Sequence, residues 1–367
     1  MKAAILHGKE QIKIEELTPR SLEPGEVRID IQAALTCGTD LKVFKRGYHA
    51  KMIAPPAVFG HELAGVISEV GAPLTPSLSP SDGERVAAQP GERLSVGPGE
   101  WHVGDRVAVA NSAPCGDCFF CGQNQENLCD DLLFLNGAYA ESIVVPARLA
   151  QKNLLRLKPG TDFRDAALTE PLGCVVQGIE DLKLRAGQRL LVIGSGPIGL
   201  MFVAVAKHLG CTVSLAGRGD NRLKKARQLG AATVIDAANP SDLAEAVLKE
   251  SRASFDVVIE AVGKPETWEA AVQWVRKGGA VNFFGGCPSG STVSLDTARI
   301  HYSGLTLLAS FHHTPRTIRR ALELIESGII KAADFVDGEC PLSELPQLFQ
   351  SMAAGNRAVK TLVRVHE

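Results

Sequence analysis

Residues 190–210 read LLVIGSGPIGLMFVAVAKHLG, and the reading of this stretch decides the fold. Leu190, Leu191, Val192 and Ile193 form an unbroken apolar run, as expected of a strand buried on both faces of a parallel sheet. Gly194, Gly196 and Gly199 follow at G-x-G-x-x-G spacing, and the next dozen residues favour a helix that Gly210 closes. Strand, tight turn and helix together predict a dinucleotide site. The first glycine allows a sharp reversal, the second lets the backbone approach a pyrophosphate, and the third lets helix and strand pack closely. Gly194, Gly196, Pro197, Ile198 and Gly199 are therefore the expected cofactor contacts, at a helix N-terminus whose N–H groups lack intrahelical partners.

Downstream, the alternation continues. Strands are expected at 213–216, 233–235, 256–259 and 280–284, and helices at 221–229, 241–251 and 265–277, with Gly278 and Gly279 read as a helix stop. Such a rhythm implies an α/β unit, a doubly wound parallel sheet. Beyond 305–310 the rhythm ends, and helices at 316–327 and 342–354 with a strand at 360–365 are expected to rejoin the first domain. Upstream, 2–36 alternates as antiparallel strands do: Val27, Ile29 and Ile31 face one way and Arg28, Asp30 and Gln32 the other. A strand at 138–146 and a helix at 165–179 complete the chain. The stretch 72–100, rich in Pro, Gly and Ser, reads as a flexible insertion.

The 367 residues suffice for two domains, and the net charge of −2 gives no reason to expect nucleic acid or an anionic membrane as partner. No apolar run approaches a membrane span, and the opening MKAAILHGKE is too short an apolar run for a signal peptide, so a cytoplasmic protein is expected. Nine cysteines in that setting point to metal ligands or reduced thiols rather than disulfides. Four of them, Cys115, Cys118, Cys121 and Cys129, have the short spacers with which one loop wraps a zinc ion, and four thiolates leave no open coordination position. A structural zinc is expected there over free thiols or an iron–sulfur cluster. A nucleic-acid-binding zinc module is disfavoured, because Asp117, Glu126, Asp130 and Asp131 surround the cysteines and no Lys or Arg lies between Ser112 and Asp131.

Cys37, His61, Glu62 and Glu170 form a different set. Mixed thiolate, imidazole and carboxylate ligands leave room for water or substrate, as a catalytic zinc requires. Glu62 poses a geometric problem, since neighbours on a strand point to opposite faces; both it and His61 reach one ion only if the backbone bends, for instance after Gly60. Glu170 competes with Cys174, four residues on.

Taken together these residues resemble the zinc-dependent medium-chain dehydrogenases. Cys37-Gly-Thr39-Asp40 is similar to the family's first catalytic-zinc segment, Gly60-His61-Glu62 with Gly65 and Gly71 to its zinc-and-turn signature, the cysteine lobe at 112–131 to its structural zinc loop, and Glu170-Pro171 to the form found in its polyol and threonine branches. The resemblance implies a GroES-like β-rich catalytic domain (1–171 and 309–367) plus a Rossmann domain (172–308), and two zinc ions per chain. The catalytic zinc would be held by Cys37, His61 and either Glu62 or Glu170, with Thr39 carrying the hydroxyl proton away. The implied reaction moves a hydride between a secondary alcohol or polyol and the nicotinamide, with threonine or simple-alcohol oxidation as alternatives, in a homodimer or homotetramer. Against a zinc-free quinone reductase of the same fold, or a retired enzyme that senses nucleotides, stand the intact ligand sets. One departure is Lys42, where relatives often carry a relay histidine; His49 is the candidate substitute.

Cofactor choice turns on the end of the second parallel strand. NAD enzymes normally place an acidic residue there; here Gly217 and Arg218 follow, with Arg222 as a possible second contact, which favours NADP(H) over NAD(H). Asp220 is the rival ribose ligand, though it is expected instead to cap the helix starting at 221. Phe44, His49, Phe59, Phe134, Phe311, His312 and His313 are candidates to line the substrate pocket.

Overall fold

The computed structural model describes residues 1–49, 51–74, 100–238, 247, 249, 255–355 and 358–366. Six parallel strands form one sheet in the spatial order Thr233–Asp236, Thr212–Gly217, Arg189–Ile193, Phe255–Glu260, Val275–Phe283, Thr306–Ala309. The order reverses between Arg189–Ile193 and Phe255–Glu260, and ligands of open α/β sheets bind at such a switch point. The apolar run is explained by burial on both faces: Leu190 and Val192 enter one core cluster with Val213 and Leu215, while Leu191 and Ile193 enter another with Val258 and Val281.

A second sheet, mostly antiparallel, runs Leu154–Arg156, Arg106–Val109, Glu62–Val70, Val27–Leu35, Lys360–Arg364, Val336–Pro341, with Ser142–Val145 also on Val27–Leu35. Its register places the candidate site. Leu35 pairs with Glu62 on one side and with Leu362 on the other. The chain leaving this strand therefore delivers Cys37 beside His61 and beside Lys360, although the three are far apart in sequence.

Several expectations need correction. The helix expected at 165–179 is split: Phe163–Ala166 is one turn, and the long helix is Thr169–Leu182, beginning just before Pro171 because a proline suits a first turn and not an interior. The helix expected at 265–277 ends at Trp274, and Gly278 and Gly279 lie within the strand Val275–Phe283 rather than stopping a helix. Asp220 does not cap the following helix; Gly219 holds that position with φ +92°, and Asp220 is the first residue of Asp220–Gln228. Phe44 and Phe59 are core, not pocket: both rings pack on Phe349, at 5.5 and 5.4 Å. The helix Gly38–Arg46, unforeseen in the sequence, is capped by the Cys37 side chain. Apart from residues 247 and 249, both helical, the helix expected at 241–251 lies outside the described residues, as does nearly all of the 72–100 insertion. No helix among the described residues is long and apolar enough to cross a membrane.

Candidate functional site

Cys37, two residues past the end of Val27–Leu35, is extended (φ −118°, ψ 149°), and its Sγ accepts a 3.4 Å hydrogen bond from the Thr39 N–H in the first turn of Gly38–Arg46. His61 and Glu62 approach from the neighbouring strand. The bend that both need is made at Gly60, whose φ is +88° and where any Cβ would lie 2.7 Å from the Tyr139 ring. His61 thus precedes the strand that Glu62 begins, and the ligand atoms of Cys37, His61 and Glu62 all fall within 4.8 Å of one another.

Two buried residues that sequence reading passed over complete this cluster. Asp40 Oδ1 lies 2.9 Å from His61 Nδ1, off the line of a well-aligned hydrogen bond, and its Oδ2 accepts 2.6 Å from the Tyr139 hydroxyl. Lys360 Nζ donates to the Glu62 carboxylate and, at 3.1 Å, to the Thr36 carbonyl. Asp40 was within reach of sequence analysis, since it closes the segment Cys37-Gly-Thr39-Asp40; Lys360 carried no local signal.

Burial and mutual charge shift the pKa values of Cys37, His61 and Glu62. Burial works against charge on the His61 imidazole, yet Asp40 and Cys37 outweigh it and hold its pKa well above the ordinary range. Burial pushes the Cys37 thiol and the Glu62 carboxyl up, and Glu62 Oε1 is buried without a partner. A soft thiol, an imidazole and an orphaned carboxylate oxygen around one point are a donor set that fits zinc.

Glu170, in the first turn of Thr169–Leu182, is grouped instead with His312 and His313, their ligand atoms within 4.8 Å. Burial lifts its pKa to about 7, and its nearest imidazole nitrogen, His313 Nε2, is 3.8 Å away. Cys174 Sγ stands 3.9 Å from Glu170 Oε1. His312 Nε2 meets Ser112 Oγ at 2.6 Å, and its ring lies 5.4 Å from Phe134. Phe311 is half exposed. His49 Nδ1 is taken up by the backbone N–H groups of Lys51 and Met52 at 3.3 and 3.1 Å, and Lys42 Nζ reaches towards the Gly286 carbonyl at 3.5 Å.

The cysteine lobe is a second donor set. Sulfur separations of 3.4 Å (Cys115 to Cys129) and 3.9 Å (Cys115 to Cys121 and Cys118 to Cys129) are far beyond a disulfide bond. Four sulfurs about 2.3 Å from one ion stand roughly 3.8 Å apart, so the spacing fits a tetrahedral zinc. Backbone N–H groups draw the Cys118 thiol down to about 6, while burial pushes Cys121 up to about 12 and Cys129 up as well.

At the glycine turn, a Cβ on Gly199 would sit 1.9 Å from the Gly194 carbonyl oxygen, whereas one on Gly196 would meet nothing within 4 Å. The third glycine is thus required by packing, and the second opens the cradle in front of the helix Pro197–His208. Gly217 is required by Ser195, whose side chain a Cβ would strike at 2.4 Å and whose hydroxyl bonds both the N–H (2.9 Å) and the carbonyl (2.7 Å) of Arg218. Arg218 Nε donates to the Ala237 carbonyl at 2.6 Å, while the Arg222 guanidinium donates to Ala358 at 3.0 Å.

Comparison with known proteins agrees with this layout. Residues 23–154 match the family model described as alcohol dehydrogenase GroES-like domain, and residues 197–327 the one described as zinc-binding dehydrogenase. The chain is 28% identical to sorbitol dehydrogenase of Bacillus subtilis (strain 168), over 99% of this chain and 97% of that one. It is 30% identical to D-altritol 5-dehydrogenase of Agrobacterium fabrum, over 92% and 91%. A Sinorhizobium meliloti 1021 protein assigned to the zinc-binding dehydrogenases and solved bound to NADP superposes with a TM-score of 0.84 at 26% identity, covering 99% of this chain and 98% of that one.

Proposed function

The chain belongs to the zinc-dependent medium-chain dehydrogenases, and from that premise we propose that it oxidises a secondary alcohol, one carbon of a polyol, by passing a hydride to NADP, or runs the reverse reduction. The observation that carries the reading is the convergence of half-buried Cys37 with buried His61 and Glu62, their ligand atoms within 4.8 Å of one another and near enough to the buried Glu170 carboxyl for His61 and Glu62 to perturb it. Bound there, zinc supplies a Lewis acid that lowers the pKa of a substrate hydroxyl towards neutrality. Cys37 and His61 would hold the ion, with Glu62 Oε1 or Glu170 as the further ligand, and the four lobe cysteines a second, structural ion.

The protein's own groups do the rest. Asp40, 2.9 Å from Nδ1, places its charge against that side of the His61 ring and would leave Nε2 for the metal. Thr39, half-buried two residues after Cys37, would take the hydroxyl proton. The turn at 194–199 would seat the pyrophosphate on the N-terminus of Pro197–His208, and the bound nicotinamide would supply the hydride acceptor. The reading is tested by assaying a panel of polyols and simple alcohols with both nicotinamides before and after zinc is stripped by a chelator. Turnover lost on stripping and restored by zinc is expected; activity indifferent to zinc, or no turnover of any alcohol, overturns it.

The preference for NADP rests on Arg218, whose position is fixed by Ser195 and Ala237 at the end of Thr212–Gly217, where an acidic residue would repel a 2′-phosphate. The NADP-bound Sinorhizobium meliloti neighbour supports the choice. Arg218→Asp is expected to shift the NADP-to-NAD ratio of kcat/KM towards NAD by ~100-fold. An unchanged ratio, read by steady-state kinetics with each cofactor, would remove Arg218 from the cofactor site.

A further inference from the structure

We propose that His312, backed by His313, Asn111 and Ser112, forms a subsite that reads the hydroxyl groups of a polyhydroxylated chain next to the carbon being oxidised. The inference rests on the dehydrogenase reading above and narrows its substrate class. His312 has φ +61°, a left-handed conformation that strains a residue with a Cβ unless its surroundings fix it. They do so from several sides. Nε2 is held at 2.6 Å by Ser112 Oγ, the ring lies tilted against that of His313 with centroids 3.9 Å apart and 5.4 Å from Phe134, and the preceding carbonyl, on Phe311, accepts 2.9 Å from Asn127 in the cysteine lobe. A strained imidazole braced by two distant segments is one that the fold presents rather than tolerates.

His313 supplies the second observation. Its Nε2 lies 3.0 Å from Asn111 Oδ1, an acceptor, so that nitrogen carries the ring proton and Nδ1 offers a lone pair. This Nδ1 is buried and has no partner, while the ring's Nε2 lies 3.8 Å from the buried carboxyl of Glu170. A simple secondary alcohol would leave these groups unpaired, whereas a further hydroxyl donates to the lone pair and accepts in turn. Sites built to bond a substrate hydroxyl discriminate strongly against the analogue that lacks it.

Xylitol, ribitol and arabinitol should be compared with pentan-2-ol, which has the same carbon count. The native protein is expected to favour at least one of the polyols by ~10³-fold or more in kcat/KM. His312→Asn keeps the tolerance for positive φ and removes the ring; His312→Phe keeps the ring and removes its nitrogens. Both should lower the polyol-to-pentanol ratio by ~30-fold or more, and calorimetry should show a matching loss of polyol affinity in the cofactor-loaded protein. An equal fall on both substrates, or a ratio that does not move, overturns the subsite while leaving the dehydrogenase reading intact. Loss of a metal equivalent in His312→Asn would overturn it in favour of a cation site at Glu170, His312 and His313. Should the native protein oxidise no alcohol, the dehydrogenase reading fails, and calorimetric binding of a polyol that depends on His312 still decides the subsite.

Discussion

Cys37→Ser is expected to lower kcat/KM by ~10³-fold or more and to remove one zinc equivalent per chain, with the unfolding transition little changed. The argument is one of charge. Burial raises the Cys37 thiol pKa, with the Glu62 carboxylate adding to the effect, so only a nearby cation keeps the sulfur ionised as a ligand. A serine hydroxyl is harder still to ionise and is a poor partner for zinc. Serine nevertheless fits the role Cys37 plays in the fold, because its oxygen can accept from the Thr39 N–H as an N-cap does. Fold and metal are thereby separated in one variant. Metal analysis, circular dichroism and steady-state kinetics on the same preparation check it, and a variant that keeps both zinc equivalents or more than a tenth of native activity would take Cys37 out of the site.

How much of this was legible beforehand depends on whether a signal was local. The strand, glycine turn and helix at 190–210 and the four cysteines of the lobe are written in short spacings, and short spacings survive as structure because the chain between them has little freedom. His61 and Glu62 were legible as a pair but not as a geometry; the bend at Gly60 depends on the ring of Tyr139, which arrives from a segment some eighty residues later. The helix after Cys37 was hidden because its N-cap is a cysteine, a residue not counted among helix caps. Phe44 and Phe59 were misread because a phenylalanine near a ligand looks the same in sequence whether its ring faces a pocket or, as here, Phe349. Lys360 was the least legible of all. Its role exists only through the register that pairs Leu362 with Leu35 and Leu35 with Glu62.

That lysine carries the second large prediction. Lys360 and Glu62 are fully buried and bonded to each other. Burial opposes charge on both; around Lys360 the Glu62 and Cys37 groups outweigh it and raise the ammonium pKa, while on Glu62 burial wins and the carboxyl pKa rises as well. The pair is thus imperfectly compensated, the usual state of a buried ion pair, and its value as a pair is small compared with the cost of breaking it. Lys360→Met is expected to destabilise the zinc-free protein by about 3–5 kcal/mol in denaturant unfolding, because it removes the counter-charge bonded to the Glu62 carboxylate and leaves only the neighbouring His61 to offset it. The double variant Lys360→Met with Glu62→Gln should recover most of that loss, since the carboxylate that loses its partner is then removed as well. Zinc sharpens the test: a divalent ion beside Glu62 Oε1 offers the carboxylate a second counter-charge, so Lys360→Met should cost less in the zinc-loaded protein than in the stripped one. A single variant within about 1 kcal/mol of native would mean that Glu62 folds as the neutral acid, and a cost equal with and without zinc would mean that the ion does not sit where Cys37, His61 and Glu62 converge.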